Sequence, residues 1–140
     1  MSKKSLLARK NELANTERQL NILSNGLFAT GELPTFAKKI AETNQFPLRS
    51  KKLEILQINL GYMCNQVCAH CHVDAGPDRK EIMTKETMQQ CLEVIRKTGA
   101  HTLDLTGGAP EMNPNFRWFV EEAAKVGIKD FIVRSNLTII

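Results

Sequence analysis

The chain has 140 residues, a formal net charge of +4 and 42% hydrophobic residues, which suits one modest domain with a real core and an ordinary soluble composition. No apolar run approaches the roughly 20 residues needed to span a bilayer. The basic start from Met1 to Lys10 lacks the apolar core of a secretory signal, and the early Glu12 and Glu17 argue against a transit peptide. The expected setting is therefore the cytoplasm, with no membrane partner. Residues 1–50 hold 8 Lys/Arg against 4 Asp/Glu and residues 51–140 hold 11 of each, so the basic excess lies in the N-terminal arm. Its Lys3, Lys4, Arg9 and Lys10 read as a solvated helix face in preference to a nucleic-acid surface.

Residues 2–24 predict an amphipathic helix, capped by Ser2, with Leu6, Leu13, Leu20 and Leu23 near one face. Asn25-Gly26 ends it, and Pro34 and Pro47 punctuate a looser stretch to Ser50. Residues 1–50 are thus expected to form an extension laid against the domain. Leu53 to Leu60 predicts a strand, with Leu56, Ile58 and Leu60 on one face and Ile55, Gln57 and Asn59 on the other. A loop follows from Gly61 to Met83. Thr84 to Thr98 predicts a helix whose Met88, Cys91, Leu92 and Ile95 make the apolar stripe, with Gly99 just past its end. Thr102 to Thr106 is a second strand. Asn113-Pro114 opens a second helix that buries Phe116, Phe119, Val120 and Ala123 and stops at Gly127. Lys129 to Arg134 is a third strand.

This order implies an α/β fold with a parallel sheet and right-handed crossovers. In such folds ligands gather at the carboxyl ends of the strands. The long loop follows the first strand and Gly107-Gly108-Ala109-Pro110 follows the second, so both lie on that rim. Gln57, Asn59, Thr102, Asp104 and Thr106 put polar groups on one sheet face, which fits a ligand-filled lumen and equally a sheet with one solvated face.

The long loop carries Cys64, Cys68 and Cys71 in the pattern C-x-x-x-C-x-x-C. In a reducing compartment such clustering points to metal or redox chemistry before structural disulfides. Three thiolates leave one iron of a four-iron cubane without a protein ligand, which parallels the open position of a catalytic metal site. Zinc is the rival, as a Cys3His site that recruits His72 and braces a binding module. The adjacency of His72 to Cys71 and the lack of a second ligand pair weigh against it. A non-catalytic iron–sulfur electron carrier stays open, and a disulfide switch ranks last. Gly107 to Pro110 would alone be a plain strand-to-helix turn; beside the cysteines, ligand contact is favoured. Cys91 reads as core, His101 as surface and Trp118 as helix packing. No general base, hydrolytic nucleophile or phosphate loop appears, so no residue is assigned as catalytic.

The cysteine triad after a first strand, with Gly107-Gly108-Ala109-Pro110 after the second, resembles the radical S-adenosylmethionine (SAM) superfamily. That resemblance implies a partial (βα)6 TIM-like barrel and a [4Fe-4S] cluster on Cys64, Cys68 and Cys71. It also implies SAM chelated at the unique iron and cleaved reductively to methionine and a 5′-deoxyadenosyl radical. Gly107, Gly108, Ala109 and Pro110 would position SAM, His70 would pack on its nucleobase, and Asn136 would touch it. An external electron donor such as flavodoxin or ferredoxin and a small-molecule substrate follow from the same likeness. Three stretches, Cys68 to Arg79, Thr102 to Glu111 and Arg134 to Thr138, are further similar to the radical SAM/Cys-rich family, which includes arsenosugar-biosynthesis proteins. The implied reaction there joins the deoxyadenosyl group to a dimethylated arsenic compound. Two positions depart from the superfamily pattern: His70 stands where an aromatic residue is common, and Ala109 where Glu is common. Six βα units, scaled from a barrel of eight, need roughly 190 residues. The expectation is therefore an N-terminal fragment, with a helical extension over 1–50 and a core over 51–140 truncated after the third strand.

Overall fold

The computed structural model describes residues 4–25, 36–69 and 71–139. Ser2, Gly26 and Pro34, which the sequence assigns to the ends of N-terminal elements, lie outside them, as does His70. The described chain forms two compact units, one built from residues up to 10 together with residues from 52 onward, the other from residues 11–51.

The second unit contains a 3-10 turn at Glu12–Ala14, α1 at Thr16–Asn25 and α2 at Phe36–Ala41. The single helix expected over residues 2–24 is therefore interrupted. Lys10 adopts a left-handed φ of 56°, and the side chain of Asn15 caps α1 by accepting from the Arg18 N–H at 2.8 Å, a strong local start signal inside the supposed run. Leu20 and Leu23 of α1 are exposed, so this helix is held by its cap and by ion pairs such as Arg18–Glu12 more than by a buried stripe.

In the first unit, β1 (Ile55–Asn59), β2 (Thr102–Thr106) and β3 (Asp130–Val133) make a three-stranded parallel sheet in the order β1-β2-β3. The crossovers carry α3 (Lys85–Thr98) and α4 (Phe116–Lys125). Register pairs Leu56 with Leu103 and Ile58 with Leu105, which sets one apolar face. That face meets Met88, Leu92 and Ile95 of α3 and Phe119 and Ala123 of α4 in one core cluster closed by Leu60 and Ile128. Burial of one such side chain stabilises by about 1.5–3 kcal/mol, so this stripe-on-sheet contact dominates folding of the unit. The predicted stripe of α3 is therefore the observed one, with Cys91 partly buried against it. Thr84 caps α3 through the Thr87 N–H, and Gly99 ends it at φ 68°.

The same register places Gln57 opposite Asp104 and Asn59 opposite Thr106 on the other face. The polar face read from the alternation is thus present.

The second crossover starts later than the sequence suggests. A 3-10 turn occupies Pro110–Met112, and α4 begins at Phe116 after Asn115. The side chain of Asn113 has a different duty from helix opening. It is buried, and its Nδ2 donates to the Leu60 and Met83 carbonyls at 3.2 and 3.0 Å while its Oδ1 accepts from the Asn115 N–H at 2.9 Å. One amide thereby ties together the end of β1, the entry to α3 and the entry to α4. Replacing Asn113 by Ala strands the Met83 carbonyl and the Asn115 N–H, while the Leu60 carbonyl keeps the Met83 N–H at 2.9 Å, and should lower the unfolding free energy by about 2 kcal/mol in urea denaturation; a loss below about 0.5 kcal/mol would show that water substitutes fully.

Candidate functional site

The loop after β1 is closed at its neck by strand-like pairing. The Tyr62 N–H donates to the Glu81 carbonyl at 2.8 Å, the Gly76 N–H to Tyr62 at 3.1 Å and the Cys64 N–H to Gly76 at 3.2 Å. Met63 and Gly76 thus pair across a stem, and Cys68 and Cys71 lie in the segment it encloses. Within that segment the Cys71 N–H donates to the Cys68 carbonyl and the Asp74 N–H to the Cys71 carbonyl, each at 3.2 Å. These two bonds make successive turns from Cys68 to Asp74.

Two of the thiols already receive N–H donors. Cys64 Sγ accepts from the Gln66 N–H at 3.4 Å and from Asn136 Nδ2 at 3.5 Å, and Cys71 Sγ accepts from the Ala75 N–H at 3.3 Å. Each of these two sulfurs thus has an N–H group aimed at it. Cys64 is buried, Cys71 half-buried and Cys68 exposed, and all are free thiols. Among the described residues no three His, Cys, Asp or Glu side chains converge closely enough to hold a metal ion. Cys64 and Cys71 are brought into one small apolar cluster; Cys68 is exposed and not part of it.

The second motif reaches the same place. Ala109 shares that cluster with Cys64 and Ala75, and Met112 and Ile139 pack against it. The connection is made by backbone: beyond β2 the Gly108 N–H donates to the Gly61 carbonyl at 3.0 Å and the Ala109 N–H to Met63 at 2.9 Å. Parallel pairing thus runs on from the sheet into the cysteine loop. This explains both glycines. Gly107 has φ 103°, and a Cβ there would stand 2.5 Å from the Gly61 carbonyl oxygen and Asn59 Oδ1; a Cβ on Gly108 would overlap the Met63 carbonyl. Each position is closed to side chains by the neighbouring loop itself.

The segment after β3 forms the third wall. Besides its bond to Cys64, Asn136 Nδ2 donates to Asn65 Oδ1 at 2.9 Å, and Asn65 Nδ2 donates to Thr138 Oγ1 at 2.8 Å. Residues following all three strands therefore meet around Cys64.

Residues 5–7 form a strap that the sequence does not foretell. Ser5 is fully buried; its Oγ donates to Asp78 Oδ2 at 2.6 Å, and the Leu6 and Leu7 N–H groups donate to Asp74 at 2.5 and 2.8 Å. Arg79 joins the knot by pairing with Asp74 and Glu81 while its guanidinium stacks over Tyr62 at 4.6 Å. The Arg79 bond holds the Glu81 carboxyl down at about 2, and the Ser5 hydroxyl holds Asp78 below the usual carboxylate range. Here carboxylates seize the N–H groups that a helix over residues 2–24 would have used.

On the polar sheet face Asp104 is buried and takes Gln57 Nε2 at 2.8 Å and Arg134 Nε and Nη2 at 2.9 and 2.8 Å. The Arg134 bond is the main reason the Asp104 carboxyl is held low. Gln57, Asn59, His72, Val73, Thr106 and Arg134 line a cleft of about 430 Å³. His72, the imidazole a zinc reading recruits, lines this cleft. Arg134 had a signal in the sequence: it falls one step past β3, on the same face as Asp130 and as Ile132, the register partner of Asp104. Cys91 keeps its expected place, with burial pushing its thiol up. Trp118 lies under the Lys85 ammonium at 4.4 Å, and His101 is exposed.

Comparison with known proteins adds an independent line. No family model matches the chain. Similar sequences do exist. Among them are proteins named GTP 3',8-cyclase or probable GTP 3',8-cyclase. The chain is 27% identical over 86 residues to the probable GTP 3',8-cyclase of Sulfolobus acidocaldarius and 29% identical over 86 residues to that of Saccharolobus solfataricus; each match covers 61% of this chain and 28% of the relative. It is 28% identical over 93 residues to the GTP 3',8-cyclase of Aquifex aeolicus, covering 62% of this chain and 29% of the relative. The matched segment thus spans less than a third of each of these relatives.

Gly108→Ala should unzip the second motif from the cysteine loop. The expected result is a large loss of thermal stability, with amide exchange at Gly108 and Ala109 rising strongly while α3 stays protected; unchanged exchange would refute the close-approach argument. A second outcome concerns acid. A depressed carboxyl contributes stability above its unfolded value and loses it as pH falls through the folded one. The Glu81 contribution should therefore be complete above about pH 5 and vanish toward about pH 2. Arg79→Gln should flatten that part of a stability-against-pH curve, and added salt should shrink it, since Glu81 is more than half exposed.

Proposed function

We propose that the chain is part of a radical SAM enzyme, in which β1 to β3 and their crossovers are the first half of a partial (βα)6 barrel. Residues 51–140 would belong to that core and residues 1–50 to an N-terminal extension. The carrying observation is that Cys64 and Cys71 share one cluster with Ala109 on the carboxyl rim of the sheet. The relatives support this reading, since GTP 3',8-cyclases are radical SAM enzymes that use [4Fe-4S] clusters and SAM.

Three free thiols on one loop are the donor chemistry such a group takes, although Cys68 does not converge with Cys64 and Cys71 in this structure. Cys64, Cys68 and Cys71 would hold a [4Fe-4S] cluster as thiolates, and N–H donors to Cys64 and Cys71 stand ready to stabilise the charge. Such a cluster supplies the electron that cleaves SAM, drawn from an external donor such as flavodoxin or ferredoxin. The residues of this chain bind and orient. Gly107 to Pro110 present backbone groups to SAM, His70 packs on its base, and Asn136 steadies Cys64 while facing the same rim. The polar sheet face receives the substrate, a small molecule, and the working compartment is the cytoplasm.

Two finer readings of the substrate follow from different features. The stretches around Cys71, Gly107 and Asn136 resemble the arsenosugar-biosynthesis proteins and favour a dimethylated arsenic compound that is adenosylated. The matched relatives are named for GTP.

The test is anaerobic reconstitution with iron and sulfide. The expected product is brown, with thiolate-to-iron absorbance that changes on adding SAM. Cys68→Ala should lose most of the bound iron. A colourless protein with one bound zinc would return the site to a Cys3His module, and a cluster indifferent to SAM would leave an electron carrier. Incubation of the reduced holoenzyme with dimethylarsenite and with GTP, followed by mass spectrometry, separates the two substrates.

A further inference from the structure

The cleft on the polar sheet face is built around one immobilised guanidinium. Asp104 accepts Arg134 Nε on both oxygens, at 2.9 and 3.2 Å, and Arg134 Nη2 at 2.8 Å, with Gln57 Nε2 completing its shell at 2.8 Å. Asp104 keeps only 4% exposure, whereas the Arg134 side chain keeps 58%. The buried carboxylate thus consumes the Nε edge of the guanidinium and fixes its plane. No described residue accepts from Nη1, so the outer Nη1–Nη2 edge opens on the cleft. That edge is a second planar fork, matched in spacing to two oxygens of a carboxylate or phosphate.

A second donor is fixed beside it. Asn59 Oδ1 accepts from the Gly61 N–H at 2.8 Å, which sets the orientation of the amide and leaves Nδ2, a pure donor, for the cleft that Asn59 lines. The Thr106 hydroxyl can rotate to donate as well. The charged groups at the cleft are Arg134 and its partner Asp104, with His72 as the further titratable group, so attraction for an anion comes from oriented donors and not from net charge.

We propose that this cleft is an oxyanion site, in which the outer edge of Arg134 and Asn59 Nδ2 grip a phosphate, arsinate or carboxylate group of the substrate. The proposal rests on the radical SAM reading only in calling that group part of a substrate; the grip itself needs no iron. A site built from fixed donors rejects a neutral analogue strongly, because such an analogue leaves those donors unpaired.

The experiment is an NMR titration of the intact chain without iron, following the side-chain signals of Asn59, Gln57 and Arg134. The probes are pyrophosphate, dimethylarsinate and acetate, with guanosine as the uncharged comparison. Saturable shifts with at least one anion and none with guanosine are expected, and the anion that responds identifies the group. Asn59→Asp keeps the acceptor for Gly61 but turns the donor into a like charge, and should weaken binding by roughly tenfold or more. Arg134→Lys retains the charge beside Asp104 but loses the fork, and should weaken it similarly. Three results would each overturn the proposal: absence of saturable shifts with every anion, equal affinity in a folded Asn59→Asp protein, or guanosine moving the same signals. Anion binding by a protein whose reconstituted form ignores SAM would remove the cofactor reading and leave this one standing; the reverse pattern would do the opposite.

Discussion

The whole rim depends on a close approach of two backbones. Past the end of β2, Gly108 and Ala109 donate to the carbonyls of Gly61 and Met63, and so convert a loose turn into an extension of the sheet. A side chain on Gly107 or Gly108 would occupy space already held by the neighbouring loop. Because the pairing is backbone to backbone, it fixes Cys64, one residue beyond Met63, against Ala109. The placement of the buried thiol is therefore a consequence of two residues that have no side chain.

Around that contact the loop is held from three directions. Its neck is a short stem between Tyr62–Cys64 and Gly76–Glu81. Its outer flank is tied to residues 5–7 through Asp74 and Asp78, and its inner flank to the post-β3 segment through Asn136 and Asn65. Hydrogen bonds to carboxylates are among the stronger local contacts, on the order of 1.5–3 kcal/mol each. A segment of this length without secondary structure needs such ties to keep one conformation, since it buries little apolar surface of its own. Cys68 sits in the part of the segment that they leave most exposed.

The sheet separates two kinds of work by its faces. The face carrying Ile58, Leu103 and Leu105 supplies the hydrophobic core against α3 and α4. The other face holds a buried carboxylate, Asp104, whose desolvation is offset by a two-point contact with the exposed Arg134 and by the Gln57 bond. With one partner more than half exposed, such a pair contributes little to stability. Its effect is to aim a guanidinium, which suits a recognition surface more than a scaffold.

Much was legible in the chain itself. The parallel α/β order, the stripe Met88–Leu92–Ile95, the Thr84 and Gly99 ends of α3 and the alternating polar face of β1 all follow from local periodicity and capping chemistry, which act within one or two turns of a residue. What local rules could not supply lay in contacts distant along the chain. Asp74 and Asp78 lie some seventy residues from Leu6 and Ser5 yet take the backbone donors a long N-terminal helix would need. Asn113, a plausible helix opener by sequence, is drawn inward, where its amide takes the Met83 carbonyl and shares the Leu60 carbonyl with the Met83 N–H. The glycine pair reads as turn chemistry or ligand contact in the sequence, and the folded arrangement adds a further reason for it, a neighbouring loop that leaves no room for a side chain. The sequence determined which elements form and which residue types reach the rim; the tertiary structure decided which of them meet, because a buried donor or acceptor must find its partner wherever the fold happens to place one.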